Sequence, residues 1–301
     1  MISNALIGIA IPSYKRPEML ARLLDSIAPG IPIAVSDNGA SLDAAFRERY
    51  PQACFLQQPD VLTVLKNWNK AARAIDAEWI VMPGDDDLYY PSSFERIEAA
   101  IRQHPTADIL FFGHHIVDEH DSVQETWTPA AETFAAPRGF HVVRLGVPAR
   151  PPSIVFRRAI YERLGGFCED FRVTAGDNDF YQRAALMGEV VFVPDVVSGY
   201  RVWSSGSTSQ TIASRAWLDE IDLWCRRVQA FANSASHYRY PDSLRDEIYL
   251  ANLRSGIRAR RLVHGWLAGW RHAASARYPY RAAPMSQVRL LAQLLLPRRP
   301  R

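Results

Sequence analysis

The first third of the chain alternates short apolar runs with amphipathic stretches, and that alternation restricts it to an α/β architecture. Ala5 to Pro12 reads as a buried strand, followed by a helix from Arg16 to Ile27 with Leu20, Leu23, Leu24 and Ile27 on one face. Ile31 to Ser36 and Ala53 to Leu56 read as further strands, Val64 to Ile75 as a helix, and Trp79 to Met82 as a fourth strand. This βαβ rhythm predicts a mainly parallel sheet with helices on its faces. Ligands of such sheets collect beyond the carboxyl ends of the strands. Three motifs fall there: Pro12-Ser13-Tyr14, Asp37-Asn38-Gly39 and Asp85-Asp86-Asp87.

The carboxylate triplet follows Trp79-Ile80-Val81-Met82 through the turn pair Pro83-Gly84. Carboxylates this close repel one another and raise one another's pKa, so a fold tolerates them where solvent or a cation neutralises them. Hard oxygen donors select magnesium, manganese or calcium over zinc. A solvated acidic turn is the plainer alternative. Asp37-Asn38-Gly39 is likewise a strong turn tripeptide, although a turn can also present its carboxylate to a ligand.

With 301 residues and 48% apolar composition the chain can bury a sizeable core in one or two domains. Cys54, Cys168 and Cys225 are widely separated and fit neither a disulfide framework nor a zinc set, which indicates a reducing compartment. No signal peptide or membrane span is legible, so the cytoplasm is the expected location. Net charge is only +3, but its distribution is uneven. From Leu253 to Arg301 there are 11 Arg and no Lys, Asp or Glu, which leaves 24 basic against all 32 acidic residues in the rest, a net of −8. An acidic body excludes general nucleic-acid binding, whereas a basic tail bearing Trp266 and Trp270 suits peripheral contact with an anionic membrane surface.

Five segments in order resemble the motifs of family 2 glycosyltransferases of the GT-A fold. They are Ile9-Ala10-Ile11-Pro12-Ser13-Tyr14-Lys15-Arg16-Pro17, Val35-Ser36-Asp37-Asn38-Gly39, Gly84-Asp85-Asp86-Asp87 with Pro91, Leu164-Gly165-Gly166-Phe167 with Glu169, and Gly176-Asp177-Asn178-Asp179-Phe180 with Arg183. The resemblance runs from about Ala5 to Ser209. It implies a Rossmann-like GT-A domain over residues 1–212 and leaves 213–301 as a helical C-terminal extension with a basic tail. It also implies an inverting transferase that takes a sugar from a nucleoside diphosphate sugar, a UDP-sugar, to a hydroxyl of a glycan or lipid-linked acceptor, in building a bacterial-type surface glycan.

By the same resemblance, Pro12, Ser13 and Tyr14 wall the nucleotide, Arg16 pairs with the site's carboxylates or caps the donor pocket, and Asp37 accepts a hydrogen bond from the base. Asp85 reaches the ribose, Asp87 ligates a divalent cation (Mn2+ or Mg2+), and Asp86 supports one role or the other. Many relatives carry a further Asp where Gly84 stands, so the register of the pair can slide by one. Expulsion of a diphosphate needs charge stabilisation, which a cation at such a cluster supplies. Attack by an acceptor hydroxyl needs a base, for which Asp and Glu are common choices. Asp177 matches the family's base and Asp179 is the second candidate. On residue type alone Asp177 can equally cap a helix running from about Asn178 to Met187. Arg183 supports Asp177 or faces the diphosphate. Trp203 stands where many relatives carry a metal-binding His, and it offers instead a stacking surface on the acceptor side or a core ring.

Other segments carry weaker signals. The glycines of Leu164-Gly165-Gly166-Phe167 suit a tight turn. His114-His115 with Asp118 and His120 does not form a zinc set on a strand, where neighbouring side chains point to opposite faces. Thr128 to Pro137 reads as a surface loop. Trp217, Ile221, Trp224, Val228 and Phe231 mark one helical face, expected to pack on the catalytic sheet. Ile257 to Trp270 and Val288 to Leu296 suit either a membrane interface or a helical cap. A nucleotidyltransferase would show a glycine-rich loop after the first strand, and Pro12 to Pro17 has none. A dehydrogenase is disfavoured for want of Gly-x-Gly-x-x-Gly. A carbohydrate-binding relative without turnover is the non-enzymatic alternative.

Overall fold

The computed structural model describes residues 5–203, 211–212, 214–235, 238–275, 288 and 292. The amino-terminal half supplies β1 (Ala5–Ser13), α1 (Pro17–Ser26), β2 (Ile33–Asn38), α2 (Ala44–Arg49), β3 (Ala53–Gln58), α3 (Val64–Ala74), β4 (Ala77–Val81), β5 (Leu88–Tyr89) and α4 (Ser93–Gln103). It is followed by β6 (Ile109–Val117), β7 (Val123–Trp127), β8 (Glu132–Phe134), α5 (Phe140–Val143), β9 (Ile154–Arg157), α6 (Arg158–Arg163), α7 (Gly176–Met187) and β10 (Val190–Arg201). The extension consists of α8 (Arg215–Ala235), α9 (Asp242–His264) and α10 (Trp266–Ser275). Most of the sequence expected from Val288 to Leu296, and the terminal Pro297 to Arg301, lies outside the described residues.

The strands form one sheet in the order β3-β2-β1-β4-β9-β6-β10-β5, with β7 on β6 and β8 on β10. β1 to β4 pair in parallel, as the βαβ rhythm predicts. β9 enters antiparallel between β4 and β6, and β5 adds antiparallel to β10. Thr128 to Pro137 is therefore not wholly a loop, because Val190 to Phe192 of β10 recruit Phe134 to Glu132 as an edge strand. That pairing comes from a partner some 60 residues away, which no local pattern in an Ala/Thr/Pro-rich stretch reveals.

Two apolar clusters sandwich the sheet. One joins α1 and α4 to β1, β2 and β4 through Leu20, Leu23, Leu24, Ile97 and Ile101. The other runs from Phe156, Phe167, Phe180 and Tyr181 to Trp217, Ile221, Trp224, Leu250, Leu253 and Ile257, so α8 and α9 share a core with the sheet. At about 1.5–3 kcal/mol for each large apolar side chain buried, this continuity fastens the extension firmly to the sheet. Gly8 shows how tightly β1 and α3 meet: a Cβ there would lie 2.3 Å from Ile75 Cγ2.

Candidate active site

β1 and β2 pair with Ser13 opposite Asp37, which brings the first two motifs side by side at the carboxyl edge of the sheet. Ser13 Oγ (3.0 Å) and the Tyr14 amide (2.9 Å) donate to one oxygen of Asp85, and Arg16 Nη1 donates to the other at 3.0 Å. The same Arg16 nitrogen reaches Asp86 at 2.9 Å, where Trp203 Nε1 also donates at 2.9 Å. The Arg16 guanidinium lies 5.1 Å from the centre of the Trp203 ring. Arg16, Trp203, Ser13 and Tyr14 thus converge on the first two carboxylates of the triplet. Arg16 precedes α1 instead of opening it, with φ −134°, because Pro17 begins the helix.

Asp87 is fully buried and accepts the Gly84 amide at 2.7 Å and the Arg201 amide at 3.2 Å. Arg201 also donates its Nε to Asp86 O at 2.7 Å, so the end of β10 locks the triplet turn. Burial, reinforced by neighbouring Asp86, raises Asp85 to about 6 and moves Asp87 upward as well. Gly84 leaves room for the triplet's side chains: a Cβ there would come within 2.9 Å of Asp86 Oδ1 and 3.2 Å of Asp87 Oδ2.

A divalent cation suits this donor set. Magnesium-type sites take one or two protein carboxylates and complete their shell with substrate phosphates and water, and buried carboxylates with raised pKa values gain from a nearby positive charge. No trio of His, Cys, Asp or Glu placed to hold a metal occurs among the described residues, and Trp203 offers a donor N–H where a ligand His would offer a lone pair. Asp86 and Asp87 are the residues that would hold such an ion.

Asp37 is fully buried, and its carboxylate accepts the Ser41 amide and hydroxyl (both 2.9 Å) and the Leu42 amide (3.0 Å). In this conformation it closes the turn after β2, as the turn tripeptide predicts. Asn38 pins the neighbouring loop by exchanging hydrogen bonds with the Leu62 backbone. Tyr14 (43% exposed) and Val61 (62% exposed) flank Gly39, whose Cα bears no side chain to separate them. Val61 joins this wall only through tertiary contact, so the sequence did not mark it.

On the other side, Asp177 sits in the first turn of α7, one residue inside the helix from Gly176, and accepts the Asn178 amide at 2.8 Å. The N-cap position belongs to Ala175 at φ +62°, so Asp177 is not the N-cap. Burial raises the Asp177 pKa, against the lowering influence of the Asn178 amide and of Arg150. Asp179 is fully buried between Arg183 (2.8 Å) and Arg227 (3.1 Å), so its carboxylate is already neutralised and Arg183 is committed to it rather than to Asp177. α8 holds this region in place. Glu220 collects the amides of Arg172, Val173 and Thr174 at 2.8–3.1 Å, and Trp224 Nε1 donates to Gln182 at 2.9 Å. Gly165 and Gly166 have φ of +75° and +81°, and Asn69 of α3 clamps their turn through the Phe167 amide and carbonyl.

Tyr200 ties the two sides together. Burial lifts its phenol to about 12, the charges of Asp87, Asp86 and Asp177 push the same way, and Arg150 opposes them. The charges of Asp87, Asp86 and Asp177 thus all reach one phenol, and the Arg150 guanidinium lies 5.4 Å from its ring centre. Arg150 carried no motif in the sequence. His114 stacks on Trp127 at 5.3 Å while His115 Nδ1 bonds Tyr90 Oη at 2.8 Å, consistent with the expected split between faces.

Residues 8–165, just over half of the chain, match the sequence profile of Glycosyl transferase family 2. The chain belongs to that family. Its fold matches TarS 1-349 from S. aureus in complex with UDP-GlcNAc, with a TM-score of 0.61 at 15% identity, over 96% of this chain and 79% of that one. The mannosyltransferase PcManGT from Pyrobaculum calidifontis, in complex with GDP-Man and Mn2+, gives 0.54 at 18% identity, over 97% and 86%. At these identities the likeness shows the GT-A fold. No curated protein matches the glycosyltransferase. Among its described residues no helix is long and apolar enough to cross a membrane.

Proposed function

We propose that this glycosyltransferase is inverting and metal-dependent, moving a sugar from a UDP-sugar to a hydroxyl of a glycan or lipid-linked acceptor. The observation that supports the reading is the placement of Tyr200, which neighbours the Arg201 amide bound to Asp87 and lies 5.4 Å under the Arg150 guanidinium whose charge also acts on Asp177, between the triplet and the α7 carboxylate. Tyr14, Gly39 and Val61 wall the base, and Ser13 and the Tyr14 amide orient Asp85 toward the ribose. Asp86 and Asp87 would hold a divalent cation, which would supply charge stabilisation for the departing diphosphate. Asp177 takes the proton from the attacking hydroxyl. Burial raises its pKa, which makes it a stronger base than an ordinary carboxylate. Attack from the Asp177 side, opposite the diphosphate, inverts the anomeric carbon.

The test separates binding from chemistry. UDP-sugar binding with manganese is measured by calorimetry, and product configuration by NMR, in the wild type, Asp86→Asn, Asp87→Asn and Asp177→Asn. The two triplet variants should lose manganese-dependent donor affinity. Asp177→Asn should keep it while transfer falls roughly 100-fold or more. Retained configuration, or full activity in chelator, refutes the reading. Donor binding with neither transfer nor hydrolysis in the wild type would favour a carbohydrate-binding relative.

A further inference from the structure

The turn between β6 and β7 lies outside every motif segment, yet it reaches the carboxylate triplet. Asp118 shapes it: its carboxylate accepts the His120 and Ser122 amides and the Gln124 side chain, each at 2.9 Å. The Asp118 amide donates to Ser122 O at 3.1 Å and the Asp121 amide to Asp118 O at 3.2 Å. Asp121 thereby sits at φ +66°, a left-handed conformation that Gly, Asn and Asp adopt at least cost. The turn keeps its shape through its own bonds, which leaves the Asp121 carboxylate for partners elsewhere.

Its two oxygens face different environments. Oδ1 accepts from Arg201 Nη2 at 2.5 Å, and Oδ2 pairs with Arg22 on α1. The Arg201 side chain is 1% exposed, whereas that of Arg22 is 41% exposed, so only the first pair is shielded from water on its cationic side. Among the described residues Asp121 is the one carboxylate paired with the Arg201 side chain. The remaining Arg201 donors go to backbone carbonyls, Nη1 to Asp118 O and Nε to Asp86 O, both at 2.7 Å. A guanidinium buried this far needs a counter-ion, because an uncompensated buried charge is costly.

One guanidinium thus joins the turn to the triplet, while the amide of the same residue donates to Asp87. Just beyond it, the Val202 amide donates to Val117 O at 2.9 Å and fastens the end of β10 to β6. We propose that Asp121 is a positioning residue for the donor site. It fixes the Arg201 guanidinium, which sets the backbone at Asp86 and with it the direction of the Asp86 and Asp87 carboxylates. The inference rests on the triplet as the anchor of the donor diphosphate and adds to it a residue that touches neither donor nor cation.

The experiment uses the full chain and two readouts, one of them free of metal. The Trp203 indole N–H donates to Asp86 at 2.9 Å, so its NMR resonance, assigned with Trp203→Phe, reports the triplet's geometry in chelator. Calorimetry gives the affinity for UDP with manganese. Asp121→Gly removes the carboxylate at a backbone angle that glycine accepts. It should move the indole resonance and weaken manganese-dependent UDP binding about tenfold, with kcat at saturating donor changed less than about twofold. Asp121→Asn keeps an oxygen for Arg201 and should lose only about threefold. Arg22→Gln strips the exposed outer pair and should leave the resonance in place, with a change in affinity below about twofold. An unmoved resonance in Asp121→Gly would overturn the proposal, as would unchanged affinity where the wild type binds UDP with manganese. Equal losses in Arg22→Gln and Asp121→Gly would overturn it too, by reducing the effect to the tie between the turn and α1. If the wild type binds no UDP with manganese, the donor reading of the triplet fails, and the resonance alone decides whether Asp121 positions it. Should Asp121→Gly melt early, Asp121→Asn against Arg22→Gln decides the matter.

Discussion

The proposed donor side and the proposed acceptor side of the site are built on different principles. The donor side is assembled from strand ends, and its carboxylates are oriented largely by backbone amides of Tyr14, Gly84 and Arg201. The acceptor side rests on one helix, α7, whose approach loop hangs on a single side chain, Glu220, reaching across from α8. Local geometry governs the first, and distant packing governs the second. A site of this kind should fail in two distinguishable ways: the donor edge through binding, the acceptor helix through turnover and stability together.

Glu220→Ala gives the largest test of that contrast. It leaves three loop amides without their acceptor, so kcat should fall at least tenfold and the melting temperature should drop, while donor affinity holds. Unchanged kcat would show that the loop keeps its shape without α8. Gly84→Ala probes the opposite side. The added methyl group displaces Asp86 and Asp87, so manganese-dependent donor binding should weaken by about tenfold with little change in kcat at saturation. A fall in kcat alone would blur the two sides.

Smaller effects sharpen the electrostatics. Asp85 has a folded-state pKa of about 6, above its unfolded value, so the fold disfavours its charge. In chelator the wild type should therefore gain on Asp85→Asn as pH falls from 7 toward 4, by up to about 3 kcal/mol, read as a crossing of their melting curves. A difference independent of pH would place the Asp85 carboxyl in an ordinary environment. Arg150 lowers the Asp177 pKa, so Arg150→Gln should move the acid limb of the kcat profile to higher pH, by less than about one unit for a charge at an exposed position. A shift in the other direction would remove Asp177 as the base.

The same contrast explains what the sequence disclosed. β1, β2, β4 and their terminal motifs were legible because apolar runs and turn residues act within a few positions. Glu220, Arg227, Arg150 and Asn69 were not, since an ordinary charged or amide residue on a helix or loop gives no local sign that it will reach a distant backbone or carboxylate. The alternatives for Asp37 and Asp177 turned on orientation, which residue type leaves open. Asp37 closes the turn after β2, an arrangement compatible with both of its readings, while Asp177 lies within the first turn of α7 and not at its cap. Asp179 and Arg183 are adjacent to the motif yet spend their charges on each other and on Arg227. Trp203 does lie beside the triplet, but as a hydrogen-bond donor to Asp86.

The hold of Glu220 on the loop before α7 bears on how such enzymes can be recombined. A chimera that imports a new acceptor helix while keeping the resident α8 would bring a loop whose amides meet the wrong side chain, or none. The exchangeable unit is thus the loop, α7 and α8 together, even though some 30 residues and a complete strand, β10, separate the two helices along the chain. Swaps drawn at the end of β10 would cut through that unit, and a cut at Gly256 would open the core at Leu253 and Ile257 as well.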